Sequence, residues 1–301
     1  MNKFRSLFQT FALVGLFFAF SVIANAQTRT WVSGVGDDIN PCSRTAPCRT
    51  FSKAHSVTTS GGEINCLDPG SYGTVTITKS ITIDCEDTQG AISASGTTGI
   101  TINAASINVN LRGISINGMA TGTNCVRVLG SGTVRVSLNE VVCSGFVTHG
   151  ISIETSTGSS KVVVFNSSFR ELTGNGINTF VTGTGSTTVA VDSCLFSNNG
   201  VGINFGVATV GSVQDSTISK NTTGIQAAGA SSFLNAASNQ IVNNGVGVSA
   251  LSGATIRIGN NMVAGNGTGL SGTNIFTFGG NGVDGNTPGG NGSNNGAAAV
   301  Q

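Results

Sequence analysis

Charge is scarce in this chain: 14 Lys and Arg and 13 Asp and Glu in 301 residues, with two histidines. Removing Lys3 and Arg5 with an N-terminal leader leaves 12 basic and 13 acidic residues, a net charge near −1. Such a chain has no basic field to hold nucleic acid or an acidic glycan over any length. Aromatic platforms are few as well: one Trp (Trp31) and one Tyr (Tyr72), both in the N-terminal part. No Cys pair stands at CxxC spacing, so with only His55 and His149 a closed zinc site is not expected. Beyond the first residues, no run is long and apolar enough to span a bilayer.

What the chain does have is glycine, 44 of them, in a rhythm. A glycine followed by an aliphatic residue recurs at Gly99-Ile100, Gly150-Ile151, Gly176-Ile177, Gly202-Ile203, Gly224-Ile225, Gly247-Val248 and Gly269-Leu270, with Cys125-Val126 filling the vacant place. The intervals are 26, 25, 26, 26, 22, 23 and 22 residues. A repeat of this length without helical periodicity marks a solenoid, whose units must stack to bury their apolar side chains. Each anchor opens a short alternating run. A second run follows (Ile107-Asn108-Val109, Val134-Arg135-Val136, Val162-Val163-Val164), and a third apolar point precedes the next anchor (Ile114 and Ile116, Cys143, Phe169, Leu195, Ile218, Ile241, Val263). Period-two runs separated by Gly, Asn, Ser and Thr are strands joined by turns. The expected fold is all-β: a right-handed parallel β-helix solenoid with three short strands per coil. Asn199, Asn221, Asn244 and Asn266 each lie three residues before an anchor glycine. Stacked turns at this constant offset would let their amides hydrogen-bond from coil to coil, a structural role.

Residues 1–26 read as a signal peptide, with Lys3 and Arg5 before the apolar run Phe11 to Ile23 and an Ala24-Asn25-Ala26 cleavage pattern. The expected mature protein is exported to the cell surface, periplasm or medium, with no membrane anchor. Export permits disulfides. Cys42 and Cys48 bracket a tight loop, and Ile64-Asn65-Cys66 matches Ile83-Asp84-Cys85 one short coil later. Cys125 and Cys143 are the next candidates, which leaves Cys194 as a buried thiol in the inward run Cys194-Leu195-Phe196. Residues 27–79 form a cap and first coils, with a strand at Thr30 to Ser33 and an amphipathic helix from Pro47 to about Val57. The β-helix then runs over 80–278. Either Phe276 and Phe278 close its end or something else docks there, before a flexible Gly- and Asn-rich tail over 279–301.

The succession Gly36-Asp37-Asp38-Ile39-Asn40-Pro41, Ala46-Pro47-Cys48-Arg49-Thr50-Phe51, Gly61-Gly62-Glu63-Ile64 and Pro69-Gly70-Ser71-Tyr72 resembles the entrance of secreted bacterial β-helix proteins of the pectate-lyase-like superfamily. The resemblance implies a capping strand and N-terminal capping helix over the first coil. It also implies where to look for chemistry, since pectate lyases of this superfamily bind calcium through carboxylates and set an Arg or Lys nearby as base. The candidates here are Asp68, Asp84, Glu86 and Asp87 with Lys79. The hydrolases of this fold gather several Asp on adjacent coils, with a His-containing loop and an Arg-x-Lys element; here His149 stands without that element. Asp192 and Asp215, 23 apart, read as stacked turn caps, with Asn166 and Asn139 in earlier coils, and His149 as a surface turn residue. Lys161, Lys220 and Arg170 are the remaining basic partners for a lyase, none in an acidic setting. The reading is therefore an exported noncatalytic scaffold, with no cofactor, that meets an extracellular or envelope glycan or protein. The alternative is a polysaccharide lyase or glycoside hydrolase, and calcium enters only there. An enzyme should bring at least three ionisable side chains together in one groove, whereas a scaffold should scatter them.

Overall fold

The computed structural model describes residues 27–287 and 290–292; the signal-peptide segment lies outside them. The chain is a right-handed parallel β-helix entered through one short helix. Every strand pairing is parallel, and each coil contributes to three ladders. The first ladder is an eleven-stranded sheet beginning at Gln27–Val32 and Thr58–Cys66 and ending at Ile275–Thr277. The other two share one fifteen-stranded sheet, because in the middle coils their strands fuse into long bent ones, Ile114–Gly130, Val142–Thr155, Ser168–Val181 and Leu195–Phe205.

The aliphatic residues after the anchor glycines form one inward column, with Val126, Ile151, Ile177, Ile203, Ile225, Val248 and Leu270 paired coil on coil. A second column runs Ile116, Cys143, Phe169, Phe196, Ile218, Ile241, Val263. Here Phe196 takes the place expected for Leu195, because the strand alternation turns Phe196 inward, fully buried, and leaves Leu195 37% exposed. Phe196 then stacks on Phe169 with ring centroids 5.0 Å apart. Burying such a side chain contributes about 1.5–3 kcal/mol. The anchor glycines are required by close approach: a Cβ on Gly176 would lie 2.4 Å from the carbonyl oxygen of Gly202, and one on Gly202 2.5 Å from that of Gly224. The coils shorten after Gly202 in the turn that follows: Ile177 and Thr187 are ten residues apart, whereas their partners Ile203 and Thr209 are six apart.

Two buried ladders run along the axis. The first comprises Asn199, Asn221, Asn244, Asn266 and Asn286; each Oδ1 accepts the backbone N–H of the corresponding residue one coil earlier, at 2.8–3.2 Å. Each Nδ2 donates to a carbonyl, from Phe169 to Val263. The second had no anticipated counterpart: Ser167, Ser216, Asn239, Asn261 and Asn281 accept in the same way from Val141, Cys194, Ser216, Asn239 and Asn261. Cys194, a free buried thiol, occupies a rung of this second ladder. Burial pushes its pKa up to about 11. The stretch expected to be flexible from Gly279 supplies, in its described part, the strand Gly282–Val283 and the last rungs Asn281 and Asn286. Amide hydrogen bonds hold where apolar area is lacking. At the coil end Ile275 is fully buried, Phe276 partly buried and Phe278 half exposed.

Asp192 and Asp215 do not stack. The coil between them is one residue shorter than their spacing, so Asp192 pairs with Gln214, whose Nε2 donates to its Oδ2 at 2.7 Å. Asp215 shares with Glu140, Asn166, Ser193, Ser238 and Asn260 a left-handed turn position, φ 48–57°. Asn166 thus stands with Asp215, and Asn139 with Asp192.

At the entrance the helix spans Phe51–Val57, shorter than the sequence suggested. Cys48 N–H is taken by Trp31 O, and the Asp38 carboxylate accepts from the N–H groups of Arg49 and Thr50. Those residues are thereby held outside the helix, and Thr50 becomes its N-cap, accepting from Lys53 N. Phe51 and Ala54 are buried over the first coil. His55 is buried too, its Nε2 accepting from Thr78 N. Disulfides link Cys42 to Cys48, Cys66 to Cys85 and Cys125 to Cys143. Among the described residues no helix is long and apolar enough to cross a membrane.

Candidate functional site

The acids singled out in the sequence are engaged separately. Asp68 belongs to the cap turn, accepting from Ser33 Oγ and Gly34 N, with Tyr72 OH close by. Burial works against its carboxylate, but those three hydrogen bonds outweigh burial and hold its pKa below the ordinary value. Tyr72 is pushed up to about 12 by burial and by Asp68. Asp84 and Glu86 lie 3.8 and 3.9 Å from Arg112, one coil on, and Asn139 Nδ2 donates to Glu86. Asp87 is exposed, and Lys79 sits beside His55, where burial lowers its pKa. Among the described residues no group of three or more His, Cys, Asp or Glu side chains is arranged to hold a metal ion.

A different cluster forms on the outer face of the fifteen-stranded sheet, over the long fused strands. Coil pairing sets Arg127, Ser152, Asn178, Asn204 and Gln226 in one outward column. Leu129, Glu154 and Phe180 form the column beside it. Arg127 Nε and Nη2 each donate to one oxygen of Glu154, both at 2.7 Å, and Ser152 Oγ donates to Glu154 Oε1 at 2.9 Å. The guanidinium hydrogen bonds hold the Glu154 carboxyl below the usual range against the opposing effect of burial. His149 stands in register with Asn124, and its Nδ1 accepts from Asn175 N at 3.1 Å. Burial lowers the pKa of His149, although Glu154 opposes it. In its neutral form the ring therefore carries the proton on Nε2. Amides continue the surface, with Asn175 and Asn204 both donating to Asn178 Oδ1, and Gln226 donating to Asn204 Oδ1.

Two adjoining recesses open on this face. One, of about 370 Å³, is lined by Asn124, Arg127, His149, Glu154, Asn178 and Phe180 among others. Its neighbour, of about 430 Å³, extends over Leu129, Ser156 and Thr182 and shares Glu154 and Phe180. Phe180 is 58% exposed, an apolar ring standing between the two.

Sequence reading missed this site for a definite reason. His149 reads as a surface turn residue, and nothing in the local sequence marks Arg127, Glu154 or Phe180. The signal lay in the repeat: one coil carries Arg127 to Ser152, and Glu154 is two residues further on the same face, a diagonal neighbour.

No family model matches the chain, and no curated protein does. Among solved structures, pectate lyase Pel9A aligns over 82% of this chain and 78% of its own, with 16% identity and a TM-score of 0.50. A rhamnogalacturonan lyase aligns over 81% and 82%, with 11% identity and a TM-score of 0.46. What this chain holds in common with pectate lyase Pel9A is the right-handed parallel β-helix fold.

Proposed function

We propose that this protein is exported and engages an extracellular polysaccharide in the outer groove over Arg127, His149 and Glu154. One observation carries the reading: three ionisable side chains from successive coils converge in one recess, beside an exposed aromatic ring. A scaffold without a ligand has no need to gather the few charges it owns. The groove has the composition of a sugar site, with polar groups that fix orientation and an apolar face on which a ring can lie. The fold of a pectate lyase supports polysaccharide as the ligand class.

Cleavage at the same place is the second reading, favoured by the presence in the recess of His149, a residue type that can carry a proton to or from a reacting group. Against it stands Glu154, the one carboxylate lining the recesses and already bound by Arg127 at both oxygens; hydrolysis uses two carboxylates. Affinity electrophoresis of the mature protein through gels containing individual polysaccharides tests the proposal. At least one glycan should retard the protein, and H149A and F180A should each reduce the retardation. Retardation unchanged by both would place the site elsewhere. Release of new ends, lost in both H149A and E154Q, would favour cleavage.

A further inference from the structure

Within that glycan reading, on which this inference rests, the groove also discriminates between sugars. Its charges are closed on each other. Among the described residues Arg127 supplies the only cation lining either recess apart from histidine, and its Nε and Nη2 are committed to Glu154. A bidentate guanidinium-carboxylate pair leaves little field for a second carboxylate, which would also approach Glu154 as a like charge. His149, with its pKa lowered by burial, adds no compensating charge near neutral pH.

One of the residues that line the recess also has an unpaired polar atom. Asn124 is only 8% exposed, and its Oδ1 is buried without a hydrogen-bond partner among the described residues. An orphaned buried acceptor costs about 1–3 kcal/mol, which a donor restores. A sugar hydroxyl donates, whereas a uronate carboxylate only accepts. His149 Nε2–H, one coil away from Asn124 in register, supplies the complementary donor. A hydroxyl that gives a proton to Asn124 and receives one from His149 would satisfy both. Phe180, between the recesses, offers its face to the C–H side of a pyranose ring.

We propose that the two recesses seat successive residues of a neutral polysaccharide, read through its hydroxyls by Asn124 and His149 and stacked on Phe180, and that the Arg127–Glu154 pair excludes polyuronates. Titration calorimetry with soluble xylan, β-glucan and galactomannan, against polygalacturonate and alginate, tests this. At least one neutral glycan should bind and the two polyuronates should not. F180A should weaken neutral binding about tenfold, equivalent to about 1.4 kcal/mol, with F180W restoring it. E154Q, which releases the guanidinium, should admit polygalacturonate with an affinity that falls as salt rises. Wild-type protein preferring polyuronate to every neutral glycan would overturn the inference and leave the groove as a glycan site. Neutral binding indifferent to both F180A and N124A would overturn it as well, by placing the sugar elsewhere. Binding to no glycan at all would remove the proposed function together with it.

Discussion

Glu154 and His55 show how single groups make this protein sensitive to acid. The Glu154 carboxyl is held below its ordinary value by Arg127, so its contribution to stability is complete above the usual glutamate range and fades as pH falls through its folded value. A carboxyl titration followed by NMR should find Glu154 protonating below the ordinary glutamate value, and R127A should return it towards that value. His55 is lowered by burial first and by Lys79 second, and it accepts the Thr78 N–H only while neutral. Stability that depends on neutral His55 is therefore full above about 6.5 and is lost as pH falls towards its folded value. Thermal melts between pH 7 and 5 should show this slope, and H55Q, which keeps an acceptor and does not titrate there, should flatten it. Neither environment is written in the local sequence. His55 takes its character from a strand that begins some twenty positions later, and Glu154 from Arg127 one coil before it. Asp68 misled for the opposite reason, because Asp68-Pro69-Gly70 has the look of an exposed acidic turn while its oxygens are spent on Ser33 and Gly34.

The ladders are the element on which the later coils depend. Asn244 accepts from Asn221 through Oδ1 and donates through Nδ2 to Ile218 O and to Asn266 Oδ1. Replacing it with Ala strands several buried groups at once, each worth about 1–3 kcal/mol. Urea denaturation of N244A should show a loss of about 3 kcal/mol or more. N178A, on the outer face, should cost under about 1 kcal/mol. A similar loss in both variants would deny the ladder its role. This ladder was legible because Asn recurs at a fixed offset from the glycines. The second ladder was obscured because Ser167, Cys194 and Ser216 fill rungs where Asn239 and Asn261 later stand. Strand parity was harder still: with Cys194, Leu195 and Phe196 all apolar, the run does not say which side chain turns inward, and only pairing with Phe169 settles it.

Across the molecule the fold was legible because one pattern is repeated and every repeat makes the same demand. Around residues 202–223 the ladder hydrogen bonds join neighbouring coils, so removal of these residues, one whole 22-residue turn, should bring Asn199 against Asn244 and leave a shorter folded protein. Circular dichroism and a cooperative melt would verify it, and a loss of strand signal would count against it. The groove was not legible in the same way, since it rests on what differs between coils and not on what recurs. The two kinds of lengthwise fastening also divide the chain. Covalent bridges lie at residues 42–143, and amide rungs at residues 172–286. The entrance therefore answers to electron donors, and the far coils do not. Hydrogen exchange in the presence of a thiol should quicken over the cap and early coils, while the backbone N–H groups bound to Asn221, Asn244 and Asn266 keep their protection. Newly made protein would have a shape before it is oxidised, with its later coils assembled and its entrance waiting for the compartment to lock it.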